Sequence, residues 1–209
     1  MNKSEVTIIK WLNLCCIFIF IMILVGGITR LTQSGLSMVD WRPIMGIIPP
    51  VNQLEWEESF NKYKTYPEYQ KINQFKLMTL MDYKTIFYWE YLHRILGRII
   101  GLLTLIPFLI FWIKGVIDKK FFYRILLIPL LVILQGLLGW YMVKSGLVNQ
   151  PNVSHFRLGA HLLLAFFLIG YIYWIQLCLK NRTQKIVRKF SINILCSHIN
   201  YLIVLFISQ

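Results

Sequence analysis

The residues with the most chemistry in them lie in one run, Trp89-Glu90-Tyr91-Leu92-His93-Arg94-Ile95-Leu96-Gly97-Arg98, which sets a carboxylate, an imidazole and two guanidiniums in an otherwise apolar stretch. A charged side chain inside a membrane span costs about 2.5 to 3.5 kcal/mol on insertion scales, so it needs a cavity, a partner or a cofactor to face. On a helix, Glu90 and His93 stand at i and i+3 and share a face. Gly97 and Gly101 carry that face inward and leave a strip bare of side chains. Such a strip suits either a flat ligand or a close small-residue contact between helices. A second run, Ser154-His155-Phe156-Arg157-Leu158-Gly159-Ala160-His161, places Arg157 and His161 at i and i+4.

Imidazole is a standard axial ligand of heme iron, and helical bundles build such sites from facing helices. Counted from Ile86 and Val153, where their apolar runs begin, His93 and His161 each lie seven or eight residues in, about 10 to 12 Å from the outer helix end. At one depth they form a candidate axial pair for a heme iron. Arg94, Arg98 and Arg157 are then candidates for the propionates or for structural roles. Taken singly, each histidine reads equally as a hydrogen-bonded core residue or an interfacial anchor. His155 lies nearer the surface, and His198 has no identifiable partner.

The elements that must position these groups are membrane helices. Of 209 residues 57% are hydrophobic, and the mean hydropathy of +0.59 is well above that of a water-soluble domain. Four apolar runs, Trp11 to Thr29, Ile86 to Ile113, Ile125 to Val143 and Val153 to Leu179, are each long enough to cross about 30 Å of hydrocarbon as a helix. A fifth run, Phe190 to Ile207, is shorter and more polar and is a candidate C-terminal helix. The fold class is thus an all-α integral membrane bundle of four transmembrane helices. Residues 1–10 form the N-terminal flank, 11–180 the bundle with an outer loop at 31–85, and 181–209 a basic segment carrying the candidate fifth helix.

The net charge of +13 comes from residues placed between the apolar spans, with no continuous basic domain, which argues against a nucleic-acid partner. Lys114, Lys119, Lys120 and Arg124 crowd one short loop, and Lys180, Arg182, Lys185, Arg188 and Lys189 follow the fourth span. Together with Lys3 and Lys10 they place the N-terminus and these loops in the cytoplasm by the positive-inside bias. The loop at 31–85 then lies outside; its Trp41, Trp56, Tyr63, Tyr66 and Tyr69 among charges suit short interfacial helices, punctuated by Pro49-Pro50 and Pro67. Cys15, Cys16, Cys178 and Cys196 fall in or near apolar spans, so neither a disulfide nor a zinc site is expected. The first run lacks a small-residue cleavage site and reads as a retained helix.

A weak internal repeat is visible. Gly26-Gly27 and Arg30 lead into Ser34-Gly35-Leu36, while Gly136, Gly139 and Lys144 lead into Ser145-Gly146-Leu147, and each set precedes a helix with Arg and His near its outer end. A duplicated hairpin and a chance match both account for it.

Larger blocks carry a resemblance. The run Gly26-Gly27-Ile28-Thr29-Arg30-Leu31-Thr32-Gln33-Ser34-Gly35-Leu36-Ser37-Met38-Val39-Asp40-Trp41 resembles the first-helix signature of the heme A synthase family. Pro67-Glu68-Tyr69, the Glu90 to Arg98 block, Gln135-Gly136-Leu137-Leu138-Gly139-Trp140 with Val143 to Leu147, and Val153 to Leu158 are similar to its proteobacterial and mitochondrial branch. The resemblance spans about residues 11 to 180 and extends to no motif in 190–209.

The resemblance implies an oxidoreductase that converts heme O to heme A for cytochrome oxidase assembly, oxidising the methyl at ring carbon 8 to a formyl with oxygen derived from water. By position His93 and His161 correspond to the histidine pair that binds heme O, and Glu90 to the essential carboxylate. Full family members have eight helices in two four-helix bundles, the second of which binds heme b. This chain matches the first bundle, so the ligands for heme b are not expected here. The implied partners are heme O and heme A, membrane lipid, a heme O synthase, and a second copy or a separate C-terminal half. A bacterial plasma membrane is expected in preference to a mitochondrial inner membrane. Two readings from other classes stay open: a non-enzymatic bis-histidine heme or electron carrier, for which Glu90 has no obvious use, and a transport or assembly subunit without heme.

Overall fold

Hydrocarbon offers no hydrogen-bond partners, so a chain crossing it must satisfy its backbone internally, and here it does so as helices. The computed structural model describes residues 3–39, 48–146 and 151–181. The helices are α1 (Lys3–Leu31), α2 (Gln53–Lys64), α3 (Leu80–Ile113), α4 (Lys119–Gly146) and α5 (His155–Asn181), with a π-helical turn at Tyr69–Asn73. Of these α1, α3, α4 and α5 are long and apolar enough to cross a membrane. The candidate fifth transmembrane helix, with Cys196 and His198, lies outside the described residues, as do Asp40 and Trp41.

The four long helices form a closed square. Helix α1 packs on α3 and α5, and α4 packs on the same two, so α1 lies diagonal to α4 and α3 diagonal to α5. Leu12, Cys15, Ile125, Ile128, Ile172 and Ile175 are wholly buried along the bundle axis, while Phe20, Leu24, Leu102, Leu130, Ile133 and Phe166 face outward and exposed. Helices that are apolar all round, packed on one side and exposed on the other, are what a lipid solvent selects.

Pro107 inside α3 has no N–H to donate to the carbonyl of Leu103. The indole of Trp11 on α1 makes up the deficit, its Nε1 donating to the Leu103 oxygen at 2.7 Å. A helix defect thereby becomes a contact between helices, reinforced by the edge-on packing of Trp11 against Phe111.

At the other end of the bundle the turns are set by polar residues. Thr79 and Asp82 form a reciprocal capping box that starts α3 at Leu80, six residues before the apolar run that begins at Ile86. These extra turns rise into a cap. Tyr83, Ile86 and Phe87 of α3 pack with Met38 and with Trp56, Phe60 and Tyr63 of α2, the short helix expected from the aromatic outer segment. Asn52 caps α2 by accepting from Glu55 N at 2.9 Å. The opposite end of α3 closes at Gly115, whose φ of +63° permits the tight reversal into α4.

Trp11→Phe should destabilise the chain by about 1–2 kcal/mol, because the Leu103 carbonyl loses its donor. In a Pro107→Ala background, which restores the helical N–H, the same change should cost much less. Thermal unfolding of the four detergent-solubilised proteins in a double-mutant cycle measures the difference.

Candidate functional site

Helix α1 ends in a left-handed residue, Gln33 (φ 54°), and the Ser34 N–H reaches back to the Thr29 carbonyl at 2.9 Å. This closure lays Ser37 and Met38 against the side of α3 at Ile86, Glu90 and Arg94. There the peptide of Met38 is gripped on both sides. Glu90 Oε2 accepts from Met38 N at 2.8 Å and from Ser37 Oγ at 2.7 Å, while Arg94 Nη2 donates to the Met38 carbonyl at 3.1 Å. Glu90 Oε1 pairs with Arg94 at 2.5 Å. Glu90 is only 3% exposed, so its charge depends on these donors.

One turn deeper stands His93, whose ring lies against α1 at Gly26. A Cβ added to Gly26 would be 3.2 Å from His93 Nε2. The other histidine repeats the arrangement, because a Cβ on Gly139 of α4 would be 3.1 Å from His161 Cε1. Each ring is thus seated on a glycine of the neighbouring helix. His93 stands twenty residues before Ile113 at the end of α3, and His161 stands twenty before Asn181 at the end of α5. Counted from those inner ends the two stand the same number of residues along their helices, about 30 Å of helical rise. They lie on diagonal helices. Counted from the outer ends they differ, since α3 has been lengthened by its cap.

The other residues singled out in the sequence divide. Arg94 is held by Glu90 and Met38, a structural engagement. Arg98 Nη1 is closed off from solvent without a partner. Arg157 lies over the Tyr141 ring of α4 at 4.2 Å, and His155 is the exposed first residue of α5. Gly97 makes a helix contact, an added Cβ lying 3.4 Å from Met22 Cε, whereas Gly101 has open space. Sequence reasoning missed Ser37 and Met38 as partners of Glu90. It also missed Gln135, whose Nε2 donates to the His161 carbonyl at 2.9 Å; its place four residues before Gly139 was the available signal.

The cap above holds a second buried carboxylate. Glu68 accepts from the Tyr63 hydroxyl at 2.9 Å, and Asn73 donates to the same hydroxyl at 2.6 Å. Burial pushes the Glu68 carboxyl up to about 7 from an ordinary 4.5; the charge of Glu90 adds to the rise, and the Tyr63 bond and Lys76 oppose it. Burial likewise pushes the Tyr63 phenol up.

A closed square of membrane-length helices, with a histidine on each of two diagonal members and a buried carboxylate one turn away, defines a bis-histidine membrane bundle. The chain belongs to the cytochrome oxidase assembly protein family, whose family model matches residues 9–209. That match takes in residues 190–209, where the sequence carried no recognisable motif. The chain is 52% identical to the heme A synthase of Nitrosospira multiformis over 171 residues, which cover 82% of this chain and 48% of that protein. It is 49% identical to the heme A synthase of Flavobacterium psychrophilum over 84% of this chain and 52% of that protein. The heme A synthase of Rickettsia bellii is 48% identical over 79% of this chain and 48% of its own length. The chain therefore spans about half the length of the curated relatives it matches. No solved structure matches it.

Adding a methyl group at either ring seat should displace the imidazole. Gly26→Ala and Gly139→Ala are each expected to weaken binding of added hemin by about tenfold or more, whereas Gly27→Ala and Gly136→Ala, with nothing within 4 Å of the new Cβ, should leave it unchanged; absorbance titration separates the two pairs. A second prediction concerns pH. Because the folded Glu68 value lies above the unfolded one, the native chain keeps a proton that the unfolded chain releases. The associated stability is full below about pH 4.5 and is lost as pH rises through about 7. Glu68→Gln should flatten this dependence in thermal unfolding.

Proposed function

We propose that the chain is the substrate-binding bundle of a heme A synthase, with heme O held between His93 and His161. The observation that carries this reading is the histidine pair on diagonal helices, each ring seated on a glycine. The fit extends to the surroundings. Gly101, on the helix face below His93, leaves open space where a side chain would otherwise stand. Arg98 Nη1 and His161 Nδ1 are buried side-chain atoms without partners. Arg98 suits a propionate carboxylate, while Arg94, already paired, serves the protein.

Heme O is the substrate, and its bound iron and conjugated ring supply the redox centre through which electrons leave the methyl group. Oxidation of methyl to formyl with oxygen from water removes four electrons and four protons, passed to acceptors outside this bundle. Within the bundle, Glu90 is a fixed negative charge one helical turn from His93, placed to stabilise positive charge that develops at the oxidised carbon and to draw a proton from the attacking water. Ser37, Met38 and Arg94 hold its carboxyl group in place. The half of the family protein not represented here would bind a heme b and carry the electrons onward.

The cap and the histidines lie at one end of the square, and Lys3, Lys114, Lys119, Lys120 and Lys180 at the other. The basic end is assigned to the cytoplasm of a bacterial cell and the histidine end to the outer half of the plasma membrane.

Expression in cells that make heme O, followed by extraction of the heme bound to the purified chain, tests the reading. Heme lost in both His93→Ala and His161→Ala is the expected result, and heme retained in both would overturn the ligand assignment. Glu90→Gln keeps a carbonyl oxygen for Ser37 and Met38 but ends the ion pair, so heme O should remain bound. In the presence of the second bundle, heme A formation should fall by about a hundredfold or more.

A further inference from the structure

We propose that Gln135 is a positioning residue for His161, accepting a hydrogen bond from Nδ1–H and so leaving Nε2 bare as the nitrogen that meets iron. The inference rests on the reading of His161 as a heme ligand.

Helix α4 touches His161 twice. Gln135 Nε2 donates to its backbone carbonyl at 2.9 Å, and one turn further on Gly139 underlies its ring. The opposite end of the Gln135 amide, Oε1, is closed off from solvent without a donor, and His161 Nδ1 is closed off without a partner. An unused acceptor and an unused ring nitrogen therefore sit on two residues already joined by a hydrogen bond from the Gln135 side chain to the His161 backbone. Neither has water to turn to, and a buried polar atom left unpaired is costly. In the proposed arrangement Nδ1–H donates to Oε1, which gives both atoms a partner.

The consequence for chemistry is the choice of tautomer. A neutral imidazole binds iron through the nitrogen without the proton, and the bond made by the other nitrogen decides which that is. Helix α1 provides the internal comparison. Four residues before Gly26, the seat of His93, stands Met22, and its Cε is directed to the face of Gly97. A thioether is a weak acceptor. The two halves of the bundle thus share the glycine seat and differ in the residue one turn below it, so that His161 has an orienting group that His93 lacks.

The test uses Gln135→Met, which copies into α4 what α1 already has, and Gln135→Glu, which keeps an acceptor. Nitrogen-15 NMR of histidine-labelled, heme-free chain in detergent, with the His161 signals assigned by their loss in His161→Asn, should show His161 as the Nδ1–H tautomer in the wild type and in Gln135→Glu. Gln135→Met should show a mixture. Titration with hemin should give a low-spin six-coordinate spectrum in the wild type, a roughly 10- to 100-fold weaker association with a high-spin component in Gln135→Met, and recovery of the low-spin form in Gln135→Glu. An unchanged tautomer and unchanged hemin spectrum in Gln135→Met would overturn the proposal. A tautomer that depends on Gln135 in a wild type that binds no hemin would overturn the ligand reading instead, and with it the positioning role.

Discussion

The outer half of the molecule hangs on one buried carboxylate. An ion removed from water is costly unless the protein supplies replacements for its hydration, and Glu90 receives three: a hydroxyl, a backbone N–H and a guanidinium. Two of these donors lie in the turn after α1, more than fifty residues earlier in the chain, so charge neutralisation and tertiary closure are one event. Arg94 completes it by donating to the carbonyl of Met38, the residue whose N–H faces Glu90. With the end of α1 fixed by Gln33 and its exit strand fixed on α3, the axial register of the two helices has no freedom left. Gly26 is then brought level with His93, which follows Glu90 by one turn. The clamp and the imidazole seat are therefore parts of one structure.

The other half solves the same positioning problem differently. Helices α4 and α5 are joined near the site by only a short segment, and no cap stands over them among the described residues. Their register is set within the bundle, by Gly139 beneath the His161 ring and by Gln135 on the His161 backbone. The glycine seats are a feature that the two hairpins, α1 with α3 and α4 with α5, have in common. The cap over one half and the glutamine in the other mark where the two hairpins differ.

Much of this was legible because the bilayer is a simple solvent. Twenty apolar residues in a row have few alternatives to a spanning helix, and ionisable groups inside such a run stand out by their cost, which is why Glu90, His93 and His161 could be singled out from type and spacing. Periodicity describes a helix's own face and says little about what the neighbouring helix brings to it. The strip at Gly97 and Gly101 was visible for that reason, while the glycines that seat the rings, Gly26 and Gly139, lie on the partner helices. Likewise Arg94 offered itself as a propionate partner until Met38 and Glu90 were found to occupy it. The start of α3 at Leu80 was written in Thr79 and Asp82, a polar signal that a count of apolar residues passes over. The pairing of Trp11 with the carbonyl freed by Pro107 depends on two helices meeting and has no local trace.

Where the remaining polar capacity lies is itself informative. Thr29, Thr104, Tyr63 and Asn73 are buried and each has a partner. Against that background the closed-off side-chain atoms without partners among the described residues are Arg98 Nη1, Gln135 Oε1 and His161 Nδ1. They are a cation's donor, an amide's acceptor and an imidazole nitrogen, and all belong to the histidine-bearing segments or to the helix face against His161. A fold that satisfies hydrogen bonds elsewhere, even by turning an indole to a carbonyl that proline set free, leaves unmet demand on the histidine-bearing helices and the helix face against His161. In hydrocarbon such demand cannot be met by solvent, so it is available to a ligand or to a small side-chain rotation. For Arg98 the matching chemistry is an anion, and for the pair on α4 and α5 it is each other.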